Sequence, residues 1–219
     1  MKIIGLFIFF ISMSFLHGCV NSQSKVETEL QESKAAFMQE YKIDIHKHFP
    51  EKIKNANFIH ASWISPNSFS YFGSYLITVR ADREEVSEIL KKYPNCKSIK
   101  ENEFFVIDYG LFRDCENYDS LRSYDESIPI PDFQEIDFRL GEIPDSVFIP
   151  KMGKKVPIYK FVIPEDMTVA VIESQSGSFW KTKHKERRCT KITPWQNGYS
   201  YGYAISEKYN YITYWAIAW

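Results

Sequence analysis

Apolar positions recur along this chain with two different periods, and the change of period divides it. Between Ser24 and Phe49, the residues Val26, Leu30, Phe37, Tyr41 and Ile45 fall near one helical face. Ser24 and Glu27 have the Ser-x-x-Glu spacing that satisfies free amides at a helix start. A helix is predicted from Ser24 to about His48, stopped by Pro50, because proline disfavours helix in the residue before it. One apolar face and one polar face suit packing on a sheet. From Phe69 to Arg80 the period falls to two, with Phe69, Tyr71, Tyr75, Ile77 and Val79 on one side and Ser70, Ser74, Thr78 and Arg80 on the other. DREEVSEILKKYP then returns to a helical period. Asp82 and Glu85 repeat the capping spacing, Val86, Ile89, Leu90 and Tyr93 form a stripe, and Pro94 ends it. EFFVIDY, Glu103 to Tyr109, reads as a strand closed by Gly110. Strand, helix and strand in this order lead us to expect a right-handed βαβ unit.

Leu111 to Asp145 breaks the pattern. Ten carboxylates stand against three arginines there, and Pro129, Pro131 and Pro144 interrupt the run. It reads as mostly loop with one short element, the alternative being a strand from Phe133 to Leu140. Long ordered loops inside a domain are often functional. Beyond it the chain is β-rich. Val156–Ile163 and Met167–Ser174 are expected to pair through Pro164-Glu165-Asp166, and Tyr199–Ser206 with Tyr211–Trp219 around Glu207-Lys208-Tyr209-Asn210. The expected fold class is α+β: an N-terminal helix and a βαβ-like unit packed with a C-terminal antiparallel sheet, as a single domain over residues 26–219.

Composition sharpens this in one respect. Apolar residues make up 44% of the chain and net charge is −1, so the class is globular, and a general nucleic-acid binder is excluded. Aromatic content is high, with 17 Phe, 14 Tyr and 5 Trp, and it concentrates at 199–219. On strands, Tyr199, Tyr201 and Tyr203 share one face, and Tyr211, Trp215 and Trp219 share another. If exposed, Tyr201, Tyr203, Tyr211 and Trp215 form a binding surface for a glycan or a protein. The alternative is a core-facing row that closes the sheet over the first helix.

Motifs for chemistry are sparse. His46 and His48 are two apart, and His60 follows in FIHAS, but HExxH and a third ligand at metal spacing are missing. Gly-x-Ser-x-Gly does not occur, and no glycine-rich phosphate loop is present. Ser22-Gln23-Ser24-Lys25 matches Ser-x-x-Lys but precedes the folded part. We therefore assign no catalytic, metal-binding or cofactor-binding residue. WKTKHKERR, 180–188, is read as a solvated connection, the alternative being a grip on an anionic partner. Cys96 and Cys115 flank one predicted strand. A disulfide between them would close a loop of about 20 residues and stabilise by about 3 kcal/mol, the alternative being free thiols.

The start of the chain has its own pattern. Lys2 is followed by IIGLFIFFISMSFL, a charge-free run of fourteen residues, short of the ~17–25 needed to span a bilayer. A basic start, an apolar run and a small residue describe a cleaved secretory signal. Leu16-His17-Gly18-Cys19 resembles the lipobox of bacterial lipoproteins, with His17 where that family has a small uncharged residue. The resemblance implies a signal peptide over 1–18, cleavage between Gly18 and Cys19, acyl chains such as palmitate on Cys19, and a tether over 19–25. It also implies anchoring in a membrane through those chains. Val20, rather than Asp, after the Cys implies the outer membrane where the cell has one, and the cell membrane otherwise. The expected function is a cell-envelope binding module without enzymatic activity, taking an unknown protein or glycan. An immunity-type protein that blocks an envelope-targeted toxin is one such case. The competing class is an envelope hydrolase using His60 or carboxylates of 111–145.

Overall fold

The structure, a computed structural model, describes residues 26–53, 58–64, 72–101, 103–107, 123–133, 145–149, 154–158, 164–181 and 192–219, with backbone alone for 58–64, 145–149 and 154–158. The fold is α+β. Six antiparallel strands form the central sheet in the order β1-β2-β10-β9-β8-β3. These are β1 (Phe58–Ile64), β2 (Gly73–Arg80), β3 (Lys97–Ser98), β8 (Thr168–Ser176), β9 (Gly198–Ser206) and β10 (Tyr211–Ala218). A parallel pair, β4 (Phe104–Ile107) and β5 (Ile128–Pro131), and an antiparallel hairpin, β6 (Asp145–Ile149) and β7 (Lys154–Ile158), lie outside it.

The central strands are buried on both faces. On one side lie the helix α1, residues 26–40, the loop after it and the helix α2 (Arg83–Lys92). Val26, Leu30, Phe37, Ile45, Phe49 and Val86 there pack against Tyr75, Ile77, Tyr199, Tyr201, Tyr203, Ile212 and Ala216 of the sheet. On the other side, Phe104, Phe105, Ile107 and Ile130 of the parallel pair join Leu76, Val169, Tyr211, Trp215, Ile217 and Trp219. Alternation along each strand therefore feeds two cores rather than one core and one wet face. Thr78, read as a polar position, is fully buried, as is Thr213, and the two satisfy each other through a 2.8 Å Oγ1–Oγ1 hydrogen bond.

The expected capping box of α2 is present: Glu85 N donates to Asp82 Oδ1 at 2.8 Å, and Asp82 N donates to Glu85 Oε2 at 3.0 Å. The hairpin of β9 and β10 turns at 207–210 as expected, with Asn210 in the left-handed region at φ 53°. Asp166 holds that turn, accepting from Ser206 Oγ at 2.8 Å and Lys208 N at 2.8 Å.

Three expectations are corrected, and the short element expected between Leu111 and Asp145 is located. The first helix ends at residue 40 rather than near His48, because Tyr41 leaves it to bridge Trp180, and Lys42 N donates to Phe179 O at 3.0 Å. Ile45 and Phe49 still reach the core, from a loop. Strand, helix and strand follow one another as expected, but the strand that returns to the sheet of β2 is the short β3, parallel to β2 with three strands between them, while β4 pairs with β5 outside that sheet. The element of the proline-rich segment is β5, Ile128–Pro131; its prolines sit in a two-stranded pair, where the missing N–H groups need no partner. The alternative strand from Phe133 falls largely outside the described residues. Finally, β7 pairs with β6, while β8 pairs with β9 and β3.

Candidate functional site

The feature that concentrates polar chemistry begins with an irregularity in β8. Val171 pairs with Gly202 and Glu173 with Tyr201, so Ile172 is an extra residue, a β-bulge. Before the bulge, Val169 faces the strand-side core and Ala170 the helix-side core. After it, Glu173 and Gln175 turn to the helix side, where strict alternation would have sent them the other way. The tyrosines of β9 meet them there. Tyr199 Oη donates to Glu173 Oε1 at 2.5 Å and to Gln175 Oε1 at 3.1 Å, and Tyr201 Oη donates to Glu173 Oε2. The two rings stack at 6.2 Å and 15°. Lys47, from the loop after α1, places Nζ 3.5 Å from Glu173 Oε2 and 5.2 Å from the Tyr201 ring centroid.

These contacts set the charges. Hydrogen bonds from Tyr199 and Tyr201 hold the Glu173 carboxyl below the usual range, with Lys47 adding to the effect. Contact with the Tyr201 hydroxyl and with Glu173 raises Lys47. Burial, reinforced by the carboxylate, raises both tyrosines. The result is an ionised carboxylate in a fixed orientation, its side chain 42% exposed beside a lysine 57% exposed. It is suited to receiving a cationic or hydrogen-bond-donating group.

Gly202 makes the bulge possible. A Cβ there would stand 2.1 Å from Ala170 O and 3.1 Å from the Trp215 ring. Its carbonyl accepts a 3.0 Å hydrogen bond from His48 Nε2, which fixes that imidazole as the Nε2–H tautomer. The His48 ring stacks on Tyr201 at 5.1 Å and meets Tyr203 edge-on at 5.3 Å. His46 is buried deeper, among Phe37, Phe49 and Tyr75, with Nε2 3.2 Å from Ser33 Oγ. Burial lowers His46 to about 3, helped by His48 and Lys34, and lowers His48 to about 4 against the pull of its Gly202 bond. Both are neutral at pH 7.

The residues singled out as an aromatic binding surface are elsewhere than expected. Tyr201, Tyr203, Tyr211 and Trp215 are all buried, the first two in the helix-side core and the others in the strand-side core. Cover on both faces of the sheet corrects the exposed-row reading in favour of the core-facing one. Cys96 carries a free thiol that donates to Tyr93 O at 2.8 Å and is raised by burial, so no bridge is formed at that end. Its expected partner Cys115 lies outside the described residues, as do Gly18, Cys19, most of the 111–145 carboxylates and the basic residues from Thr182 to Arg188; of His60 the backbone alone is described.

Sequence reasoning missed Glu173, Lys47 and Gln175. The signal for Glu173 was its place as the one charge in the apolar run TVAVIESQS. A concavity of about 340 Å³, lined by Arg83, Val86, Ser87, Leu90, Glu207 and Asn210, lies between α2 and the β9–β10 turn. Among the described residues no group of three or more His, Cys, Asp or Glu is placed to hold a metal ion, and no helix is long and apolar enough to cross a membrane. The chain matches no protein-family model, no curated protein and no solved structure.

Proposed function

We propose that this chain is a cell-envelope lipoprotein, anchored by acyl chains on Cys19, whose folded domain works by binding a partner. The observation that carries the reading is the start of the sequence: a charge-free run too short to span, ending in Leu16-His17-Gly18-Cys19, then the polar tether Val20-Asn21-Ser22-Gln23-Ser24. An outer-membrane location follows from Val20 in the same resemblance. The partner is a protein, and its contact surface includes Glu173, Lys47 and Gln175. Two features favour that choice: the carboxylate is held by two tyrosine hydroxyls from a rigid central strand, and it is half exposed. Preorganised charge of this kind gives selectivity for a complementary partner at small entropic cost. An immunity-type role against an envelope-targeted toxin is one form of the reading.

Metabolic labelling with a fatty-acid analogue tests the anchor. Wild type should carry label and Cys19→Ser none; equal labelling of the two would defeat the proposal. Charge reversal tests the surface. A partner crosslinked to the wild-type chain in cells should be lost on Glu173→Lys and retained on Arg83→Glu, which lies at the concavity beside α2. Retention on both would remove Glu173 from the contact.

A further inference from the structure

We propose that the layer formed by residues 26–53 is an acid-released cover, latched to the sheet by His46 and His48. The latch lies in one short loop, and its described neighbours come from α1, the loop itself and the sheet, with the Ile45 and Trp215 backbones also bonded to His48. From α1, Ser33 and Phe37 contact His46, and Lys34 adds a repelling charge. From the loop, Asp44 lies close, but its Oδ1 accepts the His46 backbone N–H at 2.9 Å; Lys47 and Phe49 adjoin His48. From the sheet come Tyr75 of β2, Tyr201, Tyr203 and the Gly202 carbonyl of β9, and Tyr214 of β10. Glu173 of β8 is engaged by Tyr199, Tyr201 and Lys47. His46 Nδ1 is buried with no hydrogen-bond partner among the described residues. A second proton on that ring has no acceptor among the described residues and sits among aromatic rings, next to a second imidazole and a lysine. Burying such a charge is unfavourable enough that the layer opens instead.

Lys42 N to Phe179 O at 3.0 Å, Lys181 N to Glu40 O at 2.9 Å and His48 Nε2 to Gly202 O at 3.0 Å tie the layer to the rest, with side-chain links from Lys47 to Glu173 and from Lys181 to Met38 O. None of these belongs to the ladder of the six-stranded sheet, whose other face keeps its own core. The cover can therefore leave while the sheet remains paired, a sub-global opening. What opening uncovers is an aromatic face of Tyr75, Tyr201 and Tyr214, flanked by Tyr199 and Tyr203, which keep Phe179 and Tyr93 against them. Below pH 6, each histidine that takes a proton only in the open state raises the open population tenfold per pH unit. This device is independent of acylation at Cys19.

Hydrogen exchange on the full chain in detergent, corrected for the intrinsic pH dependence of exchange, tests it. Protection of amides in 26–53 should fall at least tenfold per pH unit between pH 6 and 4.5 while β9 and β10 stay protected. His46→Gln/His48→Gln, which keeps side-chain donors without titrating, should flatten that dependence. A flat wild-type profile, an equal fall in the double variant, or a parallel loss in β9 and β10 would each overturn the cover. Should the double variant not fold, NMR titration of the wild-type imidazole C–H resonances decides. Midpoints well below 6 support the latch, and midpoints near the ordinary value of about 6.5 refute it.

Discussion

At the scale of single residues, the account turns on which polar atoms of the aromatic core are satisfied. Tyr201 donates to an ionised carboxylate, whereas the buried hydroxyl of Tyr75 has no partner among the described residues. Tyr201→Phe should therefore lower stability by about 1 kcal/mol, reduced from the usual value for a charged acceptor because Glu173 is half exposed. Tyr75→Phe should be neutral or stabilising, since it removes a desolvated group without leaving another unpaired. Urea midpoints of the two variants separate these outcomes, and the reverse order would contradict the hydrogen-bond assignment. Gly202 is the strictest position. Its missing Cβ would meet Ala170 O at 2.1 Å, a backbone atom that cannot rotate aside. Gly202→Ala should cost about 3 kcal/mol or more, or prevent folding, as read from denaturant unfolding.

At the scale of elements, the boundaries of α2 and the last hairpin were legible because their signals are local. Asp82 and Glu85 are three apart, and each fills the other's amide, so the start of α2 could be read from spacing alone. Asp82→Ala should lower the melting temperature in keeping with about 1 kcal/mol, and an unchanged value would mean that packing alone sets this helix. Period two likewise put Tyr199, Tyr201 and Tyr203 on one face and Tyr211, Trp215 and Trp219 on another, which the two cores bear out. Periodicity says which residues share a face but not which strand lies alongside. The partners of β4, β7 and β8 depend on long-range packing, so Phe104 could not be seen to leave the sheet of β2. The end of α1 was equally hidden, since Tyr41 is drawn out by Trp180, far away in the chain. Glu173 was missed for the related reason that a bulge reverses the side on which an alternating residue lies.

At the scale of the whole molecule, a sheet covered on both faces makes stability depend on acid. His46 and His48 are held below their ordinary value when folded. The unfolded chain therefore takes up protons that the folded one refuses as pH drops below about 6.5. The stability they supply is complete above that pH and is lost as pH falls towards 4, by about 1.4 kcal/mol per pH unit for each histidine. Melting temperatures at pH 7, 6, 5 and 4.5 should decline over that window in the wild type and less steeply in His48→Gln; a flat wild-type curve would contradict the burial of both rings. The site that remains is small and polar, and the function proposed for it runs through the proposed anchor on Cys19. Mass spectrometry of the amino-terminal peptide from chain purified out of membranes tests that link most directly. We predict a chain that begins at Cys19 and bears lipid on it; an unmodified Cys19 thiol, with the preceding residues retained or cut elsewhere, would contradict the account.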